Sequence, residues 1–135
     1  MRRLFAIGLA CLALCGASRR VAIHNLSPAD AEKLLAEGGV VLLDVRTPEE
    51  FQAGHIPSAQ LIPLKELSDR LKELPPDKTL PVLVYCNNGD RSSRAARLLY
   101  NEGRKDVYHL SGGMRAWAAA QKPIQVATPA ANTYH

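Results

Sequence analysis

The stretch CNNGDRSSRAAR, residues 86 to 97, holds one cysteine, a loop of turn-forming residues and three arginines spaced three apart. A cysteine is a nucleophile only as its thiolate, which forms at neutral pH where hydrogen-bond donors or positive charge surround the sulfur. Asn87, Asn88, Gly89 and Asp90 tolerate turn and left-handed conformations, so they can bring successive backbone N–H groups onto one point. Arg91 adds a cation. The alanine- and leucine-rich residues that follow predict a helix from about Ser92 to Glu102, with Ser92 as its N-cap and its positive end toward the thiol. Arg94 then falls in the first turn, where a cation is disfavoured unless an anion is bound nearby. Arg91, Arg94 and Arg97 lie along one side of that helix, although for Arg97 a solvated face explains the residue as well. The pattern points to a thiolate site that handles an anion, with Cys86 as its nucleophile.

The elements that would position this loop alternate between strand-like and helix-like patterns. PVLVYC, 81 to 86, is a continuous apolar run of strand length, and VVLLDV, 40 to 45, is another. DVYHL, 106 to 110, predicts a further strand and Ala59 to Ile62 a brief one. Between them, Ser27 and Pro28 predict a helix start that runs to about Glu37, and Thr47-Pro48-Glu49-Glu50 starts a short helix ending near Gly54. Leu64, Leu67, Leu71 and Leu74 recur at helical spacing up to Pro75-Pro76. A last helix, 113 to 121, holds Trp117, which reads as core. Apolar strands alternating with helices imply a parallel sheet covered on both faces. In such a sheet ligands gather at the carboxyl ends of the strands, where Cys86 falls.

With 135 residues, 47% of them apolar and 22% charged, the chain has the profile of one folded domain. The formal charge of +4 comes from basic residues interleaved with acids throughout, which argues against nucleic acid as a partner. The four histidines stand apart at 24, 55, 109 and 135, so no metal site is expected, and no phosphate-binding glycine fingerprint follows a strand.

MRRLFAIGLACLALCGAS opens with two arginines and an apolar stretch too short to span a bilayer comfortably, then small residues. This is the layout of a secretory signal, expected to cover 1–17 and be removed, leaving a mature form without a membrane span, periplasmic or secreted. Lipid attachment at Cys15 and a buried N-terminal helix are the alternatives. Cleavage after Ala17 would remove Cys11 and Cys15 and leave Cys86 as a lone thiol, either a buried bystander or a reactive group. The expected organisation is a linker over 18–25, a domain over 26–121 and a loosely ordered tail over 122–135.

CNNGDRS, Cys86 to Ser92, resembles the active-site loop of the rhodanese sulfurtransferases, C-x-x-G-x-R-S. DVRTPEEFQAGHIPSA, 44 to 59, is similar to that family's D-V-R-x-x-x-E-[FY]-x-x-G-H-I-x-G-A, with Ser58 in place of a glycine, and LSGGMRAW, 110 to 117, to its closing G-G-x-x-A-W. The layout most resembles the periplasmic phage-shock rhodaneses. The resemblance covers roughly residues 25 to 120. It implies a rhodanese-like three-layer α/β fold with a mostly parallel sheet of about five short strands flanked by helices.

It implies further that Cys86 takes a sulfane sulfur from thiosulfate or a similar small anionic donor, and passes it through a persulfide to cyanide, a thiol or a protein acceptor, with no cofactor. The amides of Asn87, Asn88, Gly89, Asp90 and Ser92 would hold the second sulfur, and Arg91 would brace the loop and meet the anion. Asp90 stands where many thiosulfate-using relatives carry a base. Asp44 and Arg46 read as a charge-assisted pair fixing neighbouring loops, and His55 as a satisfied histidine of an apolar turn; both sets, with Arg94, could support the site from behind. Two other readings remain open. A sulfur-carrying or binding module without turnover is one. The other is a phosphatase or arsenate reductase, although those sites place five residues between cysteine and arginine where this loop places four.

Overall fold

VLVY is buried at every position, and its residues alternate between two apolar cores. The computed structural model describes residues 23–127. Five strands, β1 (His24–Leu26), β2 (Val41–Asp44), β3 (Gln60–Leu61), β4 (Val82–Tyr85) and β5 (Val107–Leu110), form one sheet in the order β1-β5-β4-β2-β3, every pair parallel. Five helices connect or follow them: α1 (Pro28–Glu37), α2 (Pro48–Ala53), α3 (Leu64–Leu67), α4 (Asp90–Asn101) and α5 (Gly113–Ala119).

Because side chains alternate along a strand, each strand feeds both faces. Val82 and Val84 join Leu43 and Val107 against Ala95, Ala96 and Leu99 of α4 and Leu67 of α3. Leu83 and Tyr85 join Leu42 and Leu110 against Ala31 of α1 and Met114 and Trp117 of α5. Both faces are covered, which is why β4 reads as an unbroken apolar run. The chain moves outward from β2 to β3, returns to β4, and then continues to β5 on the other side, so the carboxyl end of β4 lies where the strand order reverses.

Local chemistry fixes the helix starts. Ser27 Oγ accepts from Asp30 N at 3.2 Å with Pro28 at the first helical position, and Thr47 and Glu50 form a reciprocal capping box on α2.

The fold departs from the sequence expectation in four places. The leucine spacing from 64 to 74 is met by two short pieces, α3 and a 3-10 turn over Leu71–Glu73, bent at Arg70 (φ −116°, ψ 14°). Leu64, Leu67, Leu71 and Leu74 still pack on one core, so their periodicity records a shared face and not a continuous helix. α4 begins at Asp90 and not at Ser92, because Gly89 takes the capping position in the left-handed conformation (φ 110°). His24–Leu26, placed largely in the linker, is an edge strand beside β5, too short and too polar to show a period. Residues 122–127 of the expected loose tail run along the domain: Gln125 and His55 exchange backbone hydrogen bonds at 2.9 and 2.8 Å, and Trp117 Nε1 donates to Pro123 O at 2.8 Å. The expected signal segment, residues 18–22 of the linker and residues 128–135 lie outside the described residues.

The start of α5 locks onto the end of β4. Met114 N donates to Cys86 O at 2.8 Å and Arg115 N to Asn87 O at 3.1 Å. Such close backbone approach needs Gly113: its φ is +58°, and a Cβ there would overlap Cys86 O and stand 2.7 Å from Asn87 C. Gly113→Ala is expected to lower stability in urea unfolding by more than the roughly 1–2 kcal/mol that a left-handed conformation costs an L-residue. An unchanged unfolding midpoint would contradict this account of the contact.

Candidate active site

Cys86 directly follows β4, on the face that carries Val82 and Val84, and is fully buried. An apolar burial would leave the thiol inert, but polar groups converge on this sulfur. Gly89 N–H donates to Sγ at 3.1 Å and the Ser92 hydroxyl lies 3.3 Å away, with Asn88 Oδ1 at 3.9 Å. Burial pushes the Cys86 thiol up, and the hydrogen bonds of the Ser92 hydroxyl and of the Ser92, Gly89 and Asn88 backbone N–H groups together outweigh it, leaving the thiol below its ordinary value. The positive φ of Gly89 turns its amide toward the sulfur.

The loop braces itself. Asn88 Oδ1 accepts from Asp90 N at 3.1 Å, and Asn88 Nδ2 donates to the Asp90 carboxylate at 3.1 Å, so Asp90 is exposed and tied to its own loop. Asn87 contributes the carbonyl gripped by α5.

Two expectations about α4 change. Ser92 is the third residue of the helix, so its hydroxyl is not an N-cap; it faces inward to Cys86 and to His109 Nε2 at 2.7 Å. Arg94, placed in the first turn, lies one turn further on and is exposed, so its position carries no hint of a bound anion. Arg97 is exposed as well.

Arg91 braces the loop through a carboxylate. Its two terminal nitrogens donate to Glu50 Oε1 and Oε2 at 2.7 and 2.8 Å, a bidentate pair that ties α4 to α2. The Arg91 hydrogen bonds draw the Glu50 carboxyl down to about 2 against the opposing effect of burial, helped by Thr47. The charge of Arg91 is thereby compensated, and the donors nearest the sulfur are the loop amides and Ser92.

Asp44 and Arg46 form the buried pair expected of them. Arg46 Nη2 donates to Asp44 Oδ2 at 2.8 Å and to Gly54 O at 2.7 Å, which fixes the end of α2 to the end of β2. His55 stacks on Phe51 with ring centroids 3.7 Å apart and its Nδ1 lies 2.8 Å from Phe51 O, a structural histidine that makes no contact with the sulfur. Among the described residues no group of three or more potential ligands could hold a metal ion, and no helix is long and apolar enough to cross a membrane.

Three residues near the site were not singled out by the sequence: Glu50, His109 and Asn25. His109 was discoverable, since alternation puts it with Val107 on the α4 face of β5, one residue from the strand's carboxyl end. The other two reach the site through pairings between distant segments.

A rhodanese-like domain family model matches residues 27–120. The thiosulfate sulfurtransferase GlpE of Pseudoalteromonas translucida is 35% identical over 100 residues, covering 74% of this chain and 93% of that one. A sulfurtransferase of Allochromatium vinosum is 37% identical over 94 residues, 70% of this chain and 86% of the other, and an uncharacterized Bacillus subtilis protein, YqhL, is 46% identical over 81 residues, of which this chain spans 63%. Among solved structures, a rhodanese-related protein of Thermoplasma volcanium superposes with a TM-score of 0.69 at 29% identity, covering 76% of this chain and 98% of that one. A Rhodopseudomonas palustris protein of unknown function, described as a possible tyrosine phosphatase, gives 0.69 at 28%, covering 93% and 99%. Fold, loop and matches agree, and the chain belongs to the rhodanese-like family of sulfurtransferases.

The Arg91–Glu50 pair predicts an acid-dependent brace. A carboxyl held down to about 2 stabilises the fold above its unfolded value of about 4.3 and loses that contribution as pH falls toward about 2. Glu50→Gln should flatten the loss of stability over that window, and Arg91→Ala should do the same, each costing up to about 1 kcal/mol at neutral pH for a partly exposed pair. Arg97→Ala should change neither. Denaturant melts at several pH values would decide, and additive effects in the double variant would contradict a direct pairing.

Proposed function

We propose that the protein transfers sulfane sulfur through a persulfide on Cys86. The observation that carries the reading is the buried Sγ with Gly89 N–H at 3.1 Å and the Ser92 hydroxyl at 3.3 Å, a setting that favours an anionic sulfur. The Cys86 thiolate attacks the outer sulfur of thiosulfate and a Cys86 S–S bond forms. The sulfur–sulfur bond of the donor breaks, and its electron pair leaves on sulfite. An acceptor nucleophile, a thiol or cyanide, then attacks the outer sulfur of the persulfide and returns the thiolate. Hydrogen bonds that hold an anion on the first sulfur can follow it onto the second, so one donor set supports both halves of the reaction.

Burial of Cys86 favours a donor with a narrow terminal sulfur, and two clefts flank the loop for the remainder of a substrate. One, of about 240 Å³, is lined by Val45, Thr47, Pro63, Leu64, Lys65 and Arg91. The other, of about 390 Å³, reaches Glu50, Gly54, Asn87 and Met114. The phosphatase reading is weaker, because the loop is one residue shorter than those sites need and its arginine is held on both arms by Glu50. We place the reaction outside the cytoplasm, on the charged and apolar layout of residues 1–17.

Mass spectrometry of protein treated with thiosulfate should find one added sulfur on Cys86, removed by cyanide or a small thiol, and none on Cys86→Ser. Sulfur that loads and is released to neither acceptor would reduce the protein to a carrier. Failure to load from any sulfane donor would overturn the proposal.

A further inference from the structure

Cys86 ends a chain of side chains whose outer members, His109 and Asn25, have no part in sulfur transfer as described. Its Sγ lies 3.3 Å from Ser92 Oγ, Ser92 Oγ 2.7 Å from His109 Nε2, and His109 Nδ1 3.1 Å from Asn25 Oδ1. Three separate elements supply these groups: Ser92 faces inward from α4, His109 comes from β5, and Asn25 is its register partner on β1. Asn25 Oδ1 can only accept, so the imidazole carries its proton on Nδ1 and offers the Nε2 lone pair to the Ser92 hydroxyl. Gly89 O stands 3.2 Å from both Nε2 and Ser92 Oγ, ready to accept from either.

We propose that His109, acting through Ser92, takes the proton of the Cys86 thiol and so sets the pH range in which Cys86 is a nucleophile. In the neutral state the thiol S–H points at Ser92 Oγ and the Ser92 hydroxyl at Nε2. On ionisation the thiol proton moves to Oγ as the hydroxyl proton moves to Nε2, and the S–H electron pair stays on sulfur. The products are a thiolate that accepts from Ser92 and an imidazolium whose Nε2–H meets Ser92 Oγ and Gly89 O while Nδ1–H stays on Asn25. No net proton is released until the imidazolium loses one to solvent. His109 is thus a positioning residue for the charge and not a group that touches substrate; the proposal rests on the sulfurtransferase reading only for its purpose.

The groups facing the imidazole from the neighbouring elements are neutral, already paired or exposed. β1 offers the neutral Asn25, and β4 offers Val84 in register. On α4, Asp90 is bonded to Asn88, Arg91 is paired with Glu50, and Arg94 and Arg97 are exposed. His24 of β1 packs against Tyr108 with the two rings tilted. No charged side chain among the described residues is hydrogen-bonded to His109.

The test is the rate of Cys86 alkylation by iodoacetamide against pH in the wild type, Ser92→Ala, His109→Gln and the double variant. Glutamine keeps a polar partner for Ser92 and cannot take a proton. Coupled titration should give the wild type two inflections. His109→Gln should have a single inflection at higher pH, about tenfold or more lower reactivity near neutrality, and the wild-type rate once the thiol is fully ionised. The double variant should fall no further than Ser92→Ala. A wild-type profile for His109→Gln would overturn the relay, as would a loss of equal size at every pH, which marks structural damage. Sulfur loading from thiosulfate is measured alongside. Loading with an unchanged His109→Gln profile refutes the relay alone, whereas the predicted profiles without loading refute the sulfurtransferase reading alone.

Discussion

A negatively charged sulfur inside a protein exists only where donors replace the water it has lost, and the rest of this structure serves that requirement. Burial by itself raises the Cys86 thiol, and only the convergence of the Ser92 hydroxyl and the loop amides on Sγ reverses the direction. Those donors must be aimed. Gly89 can aim its amide because it alone in the loop takes a positive φ, and Ser92 can because α4 begins two residues before it. The sheet supplies the anchor, since β4 is central, buried on both faces, and ends where the strand order reverses.

Two clamps keep the loop from relaxing. From below, the start of α5 hydrogen-bonds to the carbonyls of Cys86 and Asn87, a contact that only a glycine at 113 permits. From the side, Arg91 locks α4 to α2 through Glu50, and the Asp44–Arg46 pair fixes α2 to the end of β2. The first clamp orients backbone and the second orients charge. Because Arg91 is paired, electrostatic support for the sulfur comes mainly from oriented dipoles close to it, which salt screens less than exposed charges.

What the sequence revealed follows the range of the interactions involved. The strands 41–44 and 82–85 announce themselves through continuous apolar runs, and Cys86 with its turn-forming neighbours marks the nucleophile, because these signals are local. The motif resemblance placed the family and the fold. The errors fall mainly where a distant segment decides the outcome. Arg91 looks like an unpaired cation until Glu50, 41 residues away, is seen across from it, whereas the Ser92 N-cap is a local miss, since Gly89 three residues earlier takes that position. His109 was legible as a strand residue of known face, but its contact with Ser92 depends on the packing of α4 on β5. The edge strand His24–Leu26 has too few residues to show any period.

The central claim is that the loop donors outweigh burial and hold the Cys86 thiol below its ordinary value. The direct measurement is the ultraviolet absorbance of the thiolate titrated against pH in the folded protein, with Cys86→Ser as the blank. A midpoint clearly below about 8.5, the value of a free cysteine, is predicted, moving back toward or beyond it on unfolding the loop with Gly113→Ala. A midpoint at or above that value in the intact protein would mean that burial prevails over the donors, and would contradict the account.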